Sequence, residues 1–148
     1  MDKLCVEDYM RLALDEAKKS GSDIPIGCVI VKNGEILSKA HNLKEKNNDV
    51  TAHAEIIALK SASDKLKNWR LFGCDLYVTL EPCPMCAWAI LNSGIENVYF
   101  GAYDFNYGAM GSKINLMAFS SRKTKVYGGI MEKEAEEVLD EYFKRIRE

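Results

Sequence analysis

Asp75-Leu76-Tyr77-Val78-Thr79, then Met85-Cys86-Ala87-Trp88-Ala89-Ile90-Leu91-Asn92, then Asn97-Val98-Tyr99-Phe100-Gly101 read as strand, helix, strand, and this alternation decides the fold class. A strand that passes through a helix into a second strand folds with the strands parallel and the helix crossing one face of the sheet. Upstream, the pattern predicts another helix over 54–63. Before it, the runs Gly27 to Val31 and Ile36 to Ala40 flank Lys32-Asn33-Gly34, and Asn-Gly between apolar runs predicts an antiparallel hairpin. Val6, Tyr9, Met10, Ala13, Leu14 and Ala17 recur at helical spacing until Ser20-Gly21-Ser22 stops them. Downstream, 124–127 can add a strand, and Val138, Leu139, Tyr142, Phe143 and Ile146 mark the stripe of a last helix beginning near Glu132. The expectation is an α/β fold, a three-layer α/β/α sandwich.

Composition bounds the rest. The 148 residues suit one domain over 1–148, with 47% hydrophobic and 28% charged residues and no repeat, low-complexity tract or linker to mark a boundary. The first eight residues carry acids and no long apolar run, so neither a signal peptide nor a membrane span is expected. Five cysteines in this setting fit a reducing, cytoplasmic compartment better than a disulfide framework. A net charge of −2 excludes bulk electrostatic attraction to a polyanion, which needs Lys and Arg to neutralise phosphates. Nucleic-acid binding would have to use local patches: Lys44 with Lys46, Arg122-Lys123-Thr124-Lys125, or Lys144-Arg145-Ile146-Arg147. The last of these also suits a helix end that complements its dipole.

Two motifs carry chemistry: His53-Ala54-Glu55 and Pro82-Cys83-Pro84-Met85-Cys86. One imidazole and two thiolates make three ligands, His53, Cys83 and Cys86, for one Zn²⁺ per chain, and they leave a tetrahedral ion its fourth position for water, as catalytic zinc requires. Such an ion lowers the pKa of water to roughly 7. Glu55 is the expected catalytic acid/base, taking that water's proton and passing it to a leaving nitrogen. The alternatives are a redox Cys-x-x-Cys pair, or a structural zinc closed by Cys5, Cys28, Cys74 or His41. Residues two apart on a helix point to nearly opposite faces, so His53 and Glu55 share a pocket only if His53 stands at or before the first turn, with Thr51 as a candidate cap. Pro84 suits a first helical position, where free amides favour thiolate at Cys83 and Cys86.

These motifs resemble the zinc-dependent cytidine and nucleotide deaminase superfamily. Over most of the chain, Ile24-Pro25-Ile26-Gly27-Cys28-Val29, Asn42, Thr51-Ala52-His53-Ala54-Glu55, Tyr77 through Ala87, Asp104 with Gly108-Ala109-Met110-Gly111-Ser112, and Tyr142-Phe143-Lys144-Arg145 are similar to bacterial tRNA-specific adenosine deaminases. The resemblance implies a cytidine-deaminase-like mixed five-stranded sheet of order 2-1-3-4-5. It implies a hydrolase that turns adenosine into inosine at the wobble position of a tRNA anticodon, with the anticodon stem-loop as partner, no membrane, and a homodimer in which Trp88 is a candidate anchor. For the substrate it implies Asn42 as a hydrogen-bonding partner of the purine and Ile26 and Leu80 as pocket walls. Asp104, Ser112, Phe143 and Lys144 would contact neighbouring nucleotides.

The chain departs from that pattern at Asn106 and Tyr107, where a Lys-containing turn is common, at Trp88 and Val50, and at Ser121-Arg122-Lys123, which replaces an Asn-His pair. Arg122, Lys123 and Lys125 are expected to take over some of the lost contacts. The alternative is a deaminase of a free base or nucleoside, of guanine or cytosine type, which needs no basic surface and agrees with the acidic balance of charge.

Overall fold

The computed structural model describes residues 4–147, so the first three residues of the expected leader-free N-terminus, and Glu148, lie outside the described residues. Helix α1 (Val6–Ala17) opens where the Asp8 carboxylate accepts hydrogen bonds from the Cys5 amide at 2.9 Å and the Cys5 thiol at 3.2 Å. A short 3₁₀ turn and Gly21 at φ 63° end it. Strands β1 (Gly27–Lys32) and β2 (Glu35–His41) pair antiparallel across Asn33 and Gly34, which take φ 50° and 79°. Two positive φ angles in a two-residue loop match the strand twist, which is why Asn-Gly marks it.

The chain continues through α2 (Ala54–Leu66), β3 (Cys74–Leu80), α3 (Pro84–Ser93), β4 (Asn97–Ala102), β5 (Lys125–Tyr127) and α4 (Glu132–Ile146). Helix α2 runs one turn past the expected end before Lys67, at φ 54°, stops it. The sheet order is β2-β1-β3-β4-β5, with β1 antiparallel to β2 and β3, and β3, β4 and β5 parallel. The crossover from β4 to β5 carries only a 3₁₀ turn at Leu116–Phe119 in place of a crossover helix.

Alternation along the central strands divides the core. Cys28, Ile30, Leu76, Val78, Val98 and Phe100 face α2 and α3, whereas Val29, Val31, Tyr77 and Tyr99 face α1 and α4. On the second face Tyr9 of α1 and the strand residues Tyr77, Tyr99 and Tyr127 form a row with ring centroids 5.1, 4.8 and 5.1 Å apart, the last three being cross-strand neighbours of the kind that stabilise sheets. Gly27 is where α1 meets the sheet: a Cβ there would stand 1.8 Å from the Ala13 carbonyl oxygen. Its amide instead donates to Thr79 Oγ1 at 3.1 Å and ties β1 to β3. Among the described residues no helix is long and apolar enough to cross a membrane.

Candidate active site

The carboxyl ends of parallel strands are where an open α/β sheet makes its ligand crevice. Here β3 ends at Leu80 and β4 at Ala102, and both residues line a cavity of about 650 Å³. Two helices begin at it. His53 is the residue before α2, with φ −77° and ψ 150°, and Cys83 holds the same place before α3, with φ −72° and ψ 172° and Pro84 next. His53 is therefore extended while Glu55 is already helical, and both line the cavity, as residues two apart could not within a regular helix. The Leu43 amide donates to the Ala52 carbonyl at 3.0 Å, holding the approach to His53 beside the end of β2.

Thr51 does not cap α2. Its amide and hydroxyl donate to Asp49 Oδ1 at 2.8 and 2.7 Å, a turn that consumes the side chain before the helix starts.

His53 Nδ1 lies 3.7 Å from Cys83 Sγ and 3.5 Å from Cys86 Sγ. A tetrahedral ion with Zn–S near 2.3 Å and Zn–N near 2.05 Å has an S···N edge of about 3.6 Å, so the donors stand at the separation zinc needs. Among the described residues, His53, Cys83 and Cys86 are the metal-capable cluster, with their ligand atoms all within 4.8 Å of one another. None of the four candidate closing ligands joins them. Cys5 bonds Asp8, Cys28 is buried in β1, Cys74 starts β3 at the far end of the sheet, and His41 Nδ1 lies 3.1 Å from Glu16. Among the described residues no fourth His, Cys, Asp or Glu joins the three, as the structural-zinc alternative would require.

The electrostatics of the three donors agree with that use. A hydrogen bond from Cys86, aided by His53 against the effect of burial, holds Cys83 down to about 4. Cys86 is pushed well up because it gives that bond and is buried, and His53 is raised by its hydrogen bond to Cys83. Donors that compete in this way for protons are ones a divalent cation deprotonates on binding. Burial pushes Glu55 up to about 7, with the side chain only 4% exposed.

Of the expected substrate contacts, Asn42, Ile26, Leu80, Asp104 and Phe143 line the same cavity. Asn42 is buried, its Nδ2 donates to the Ile24 carbonyl at 3.3 Å, and its buried Oδ1 has no partner among the described residues. Ser112 and Lys144 are not part of the lining. The Ser112 hydroxyl donates to Glu81, and Lys144 is exposed on α4 beside Phe143. The basic residues expected to take over contacts near the anticodon loop do not line the cavity. Lys125 pairs with Asn97 at the start of β4, whereas the cavity is at Ala102, five strand steps or about 16 Å away. Arg122 lies over the Phe72 ring, 5.4 Å from its centroid, at that far end.

Two carboxylates to which the sequence reading gave no role organise the site. Glu81, 2% exposed, accepts from the amides of Asp104, Met110 and Ser112 at 3.1 Å each as well as from the Ser112 hydroxyl, and so folds the 104–112 loop over the cavity. Gly108 packs so closely on this carboxylate that a Cβ would meet Glu81 Cδ at 2.5 Å and the Asp104 carbonyl oxygen at 2.3 Å. Asp23, also 2% exposed, accepts from the amides of Glu45 and Lys46 at 2.7 and 3.2 Å and fixes the loop after Asn42. An acid between an apolar strand and the first proline of the cysteine motif was the available signal for Glu81.

The comparisons with known proteins point the same way. The cytidine and deoxycytidylate deaminase zinc-binding region matches residues 4–102. The tRNA-specific adenosine deaminase of Bacillus subtilis (strain 168) is 43% identical over 145 residues, 95% of this chain and 90% of its own. That of Aquifex aeolicus (strain VF5) is 44% identical over 144 residues, 95% of each chain. A solved structure from studies of A-to-I editing by tRNA:A34 deaminases at the wobble position of transfer RNA superposes with a TM-score of 0.83 at 42% identity, over 88% of this chain and 98% of that one. With sheet order, helix starts and donor set all in agreement, the chain belongs to the zinc-binding cytidine and deoxycytidylate deaminase family and, within it, to the tRNA-specific adenosine deaminases.

Proposed function

We propose that residues 1–148 act as a single cytoplasmic deaminase domain that converts adenosine to inosine at the wobble position of a tRNA anticodon, with one zinc held by His53, Cys83 and Cys86. The observation that carries the reading is the coincidence of three zinc-spaced donors, an open fourth position and Glu55 in one cavity. Relatives at 43% and 44% identity that are tRNA-specific adenosine deaminases support the substrate.

When bound, zinc supplies the acidity that makes a water nucleophilic at neutral pH. Glu55 takes the proton from that water as its oxygen bonds to the purine carbon, and delivers it to the adjacent ring nitrogen. When the exocyclic C–N bond breaks, Glu55 carries the remaining hydroxyl proton to the departing ammonia, leaving the lactam of inosine. Asn42, whose Oδ1 has no donor within the described residues, accepts from or orients the base, and Ile26 and Leu80 wall it. Phe143 is held near by the Tyr142 hydroxyl, which donates to the Ser22 carbonyl at 3.0 Å and draws the end of α4 over the cavity. Asp104, Ser112 and Lys144 act around the rim, the first two through the loop they stabilise.

The test is a substrate panel. Zinc-loaded protein should produce inosine in an anticodon stem-loop with a wobble adenosine, at a kcat/KM orders of magnitude above that for guanine, cytosine or their nucleosides. Efficient turnover of a free base with an inert stem-loop would establish the alternative. A second copy of the chain is the other proposed partner. Met85 and Trp88, 37% and 40% exposed, lie one turn apart on α3, and Trp69, 55% exposed, lines a groove between α2 and α3. Trp88→Asp should convert a dimer to a monomer by sedimentation; an unchanged mass would exclude this face.

A further inference from the structure

Several polar groups of the loop after β4 are engaged within it, and Asn106 is the exposed polar side chain that the loop adds to the cavity lining. Asp104 Oδ1 accepts from the amides of Asn106 and Tyr107 at 3.0 Å each, the Gly108 amide donates to the Asp104 carbonyl at 2.7 Å, and Ser112 is engaged with Glu81. On either side of Asn106, what the loop turns outward is aromatic. Phe105 and Tyr107 are 74% and 70% exposed, and both line the mouth of the catalytic cavity. The backbone that carries both rings is fixed. The turn between them is closed by Asp104, and Phe105 lies near-parallel to Tyr103, with centroids 6.3 Å apart, while Tyr103 packs edge-on against Phe100 at 5.0 Å.

The charges around the mouth say what these rings can meet. Asp104, Glu136 and Asp140 face the cavity and Lys44 is the one lysine or arginine in the lining, so phosphates are repelled from most of the rim. A base face carries no charge and stacks on an aromatic side chain whatever its sequence. A free base inside the cavity would leave two rings on the rim without a partner. A target base in an unpaired loop brings neighbours that must be splayed out for it to enter.

We propose that Phe105 and Tyr107 form a stacking platform for the bases flanking the target adenosine, so that this chain positions its RNA by aromatic stacking at a point where charge works against it. The proposal rests on the wobble-adenosine reading above. Both residues are positioning residues and touch no reacting atom.

The experiment uses the zinc-loaded protein and the anticodon stem-loop. Phe105→Ala and Tyr107→Ala should each raise KM for the stem-loop by about 5- to 150-fold, the range expected for losing one stacked base, with a much smaller change in kcat. Phe105→Tyr should restore KM, whereas Phe105→Leu, apolar but without a π face, should not. An abasic nucleotide beside the target adenosine should raise KM for the original protein and add little to the affected alanine variant, because both remove the same contact. Phe119→Ala serves as a control, removing an aromatic that is 77% exposed but outside the cavity lining, and should leave KM unchanged. An unchanged KM in the double alanine variant, full rescue by leucine, or a change in oligomeric mass that accounts for the loss would overturn the platform. An unmutated protein that ignores the stem-loop would instead bring down the wobble-adenosine reading, and the platform with it.

Discussion

Glu81→Gln tests whether one carboxylate holds the roof of the cavity. Both oxygens are in use: Oε1 accepts from the Asp104 amide and the Ser112 hydroxyl, and Oε2 from the Met110 and Ser112 amides. Glutamine replaces one acceptor by an NH₂ donor. Whichever way the amide turns, at least one loop N–H then faces a donor in a buried site, which costs about 1–3 kcal/mol. The remaining bonds lose their charge assistance, about 1 kcal/mol each for two of them. The sum is about 3–5 kcal/mol taken from the 104–112 loop. If the loop unfolds only with the rest of the chain, Tm falls by about 6–20 °C at the 2–4 °C per kcal/mol appropriate to this size. If it opens on its own, Tm moves less and the loss appears as faster exchange of the Asp104, Met110 and Ser112 amides. Calorimetry combined with amide exchange separates the two cases, and in both KM should rise because the loop lines the cavity. A variant with wild-type Tm and wild-type protection at all three amides would refute the role given to Glu81.

Gly27→Ala should destabilise by at least the roughly 1–3 kcal/mol of core overpacking, because its Cβ meets the Ala13 backbone and α1 must lift from β1; a Tm within 1 °C of wild type would show that the helix can move freely. Glu16, 6% exposed, bonds Lys19 Nζ at 2.7 Å and faces His41 at 3.1 Å; burial pushes its carboxyl up, but the bonds from Lys19 and His41 outweigh this and hold it below the ordinary value. Its stabilising contribution is therefore full above the unfolded-state value and disappears as pH falls through the folded-state value. Glu16→Gln should lower stability near neutrality and flatten its decline below about pH 4.5, the ordinary glutamate range, in denaturant titrations across pH. Equal pH slopes for both proteins would contradict the linkage.

The layers of this fold were legible because each element carried its period locally. Tyr77-Val78-Thr79 and Val98-Tyr99-Phe100 alternate between two buried faces, and Asn33-Gly34 needs only its own backbone to turn. The catalytic residues were legible for a different reason. Two residues apart, His53 and Glu55 can meet only at a helix start, and Cys83-Pro84 carries the same constraint in its proline. Glu81 and Asp23 were not legible, because their partners are 23 to 31 and 22 to 23 residues away and the tertiary path chooses them. Tertiary pairing likewise engages Asp104 Oδ1 and the Ser112 hydroxyl within the loop, while Asp104 still lines the cavity. That Arg122 and Lys125 stand at the other end of the sheet from the cavity follows only from the parallel pairing of β5 with β4 and the packing of Arg122 on Phe72.

The central claim is that His53, Cys83 and Cys86 hold the metal while Glu55 moves the proton, and the zinc content and turnover of Glu55→Ala test it together. The account predicts about one zinc per chain, as in the unmutated protein, with inosine formation in the stem-loop reduced by at least about 10²-fold, the lower end of what acid/base catalysis contributes. A variant that keeps its zinc and deaminates at near wild-type rate, or one that loses the zinc with the carboxylate, would contradict it.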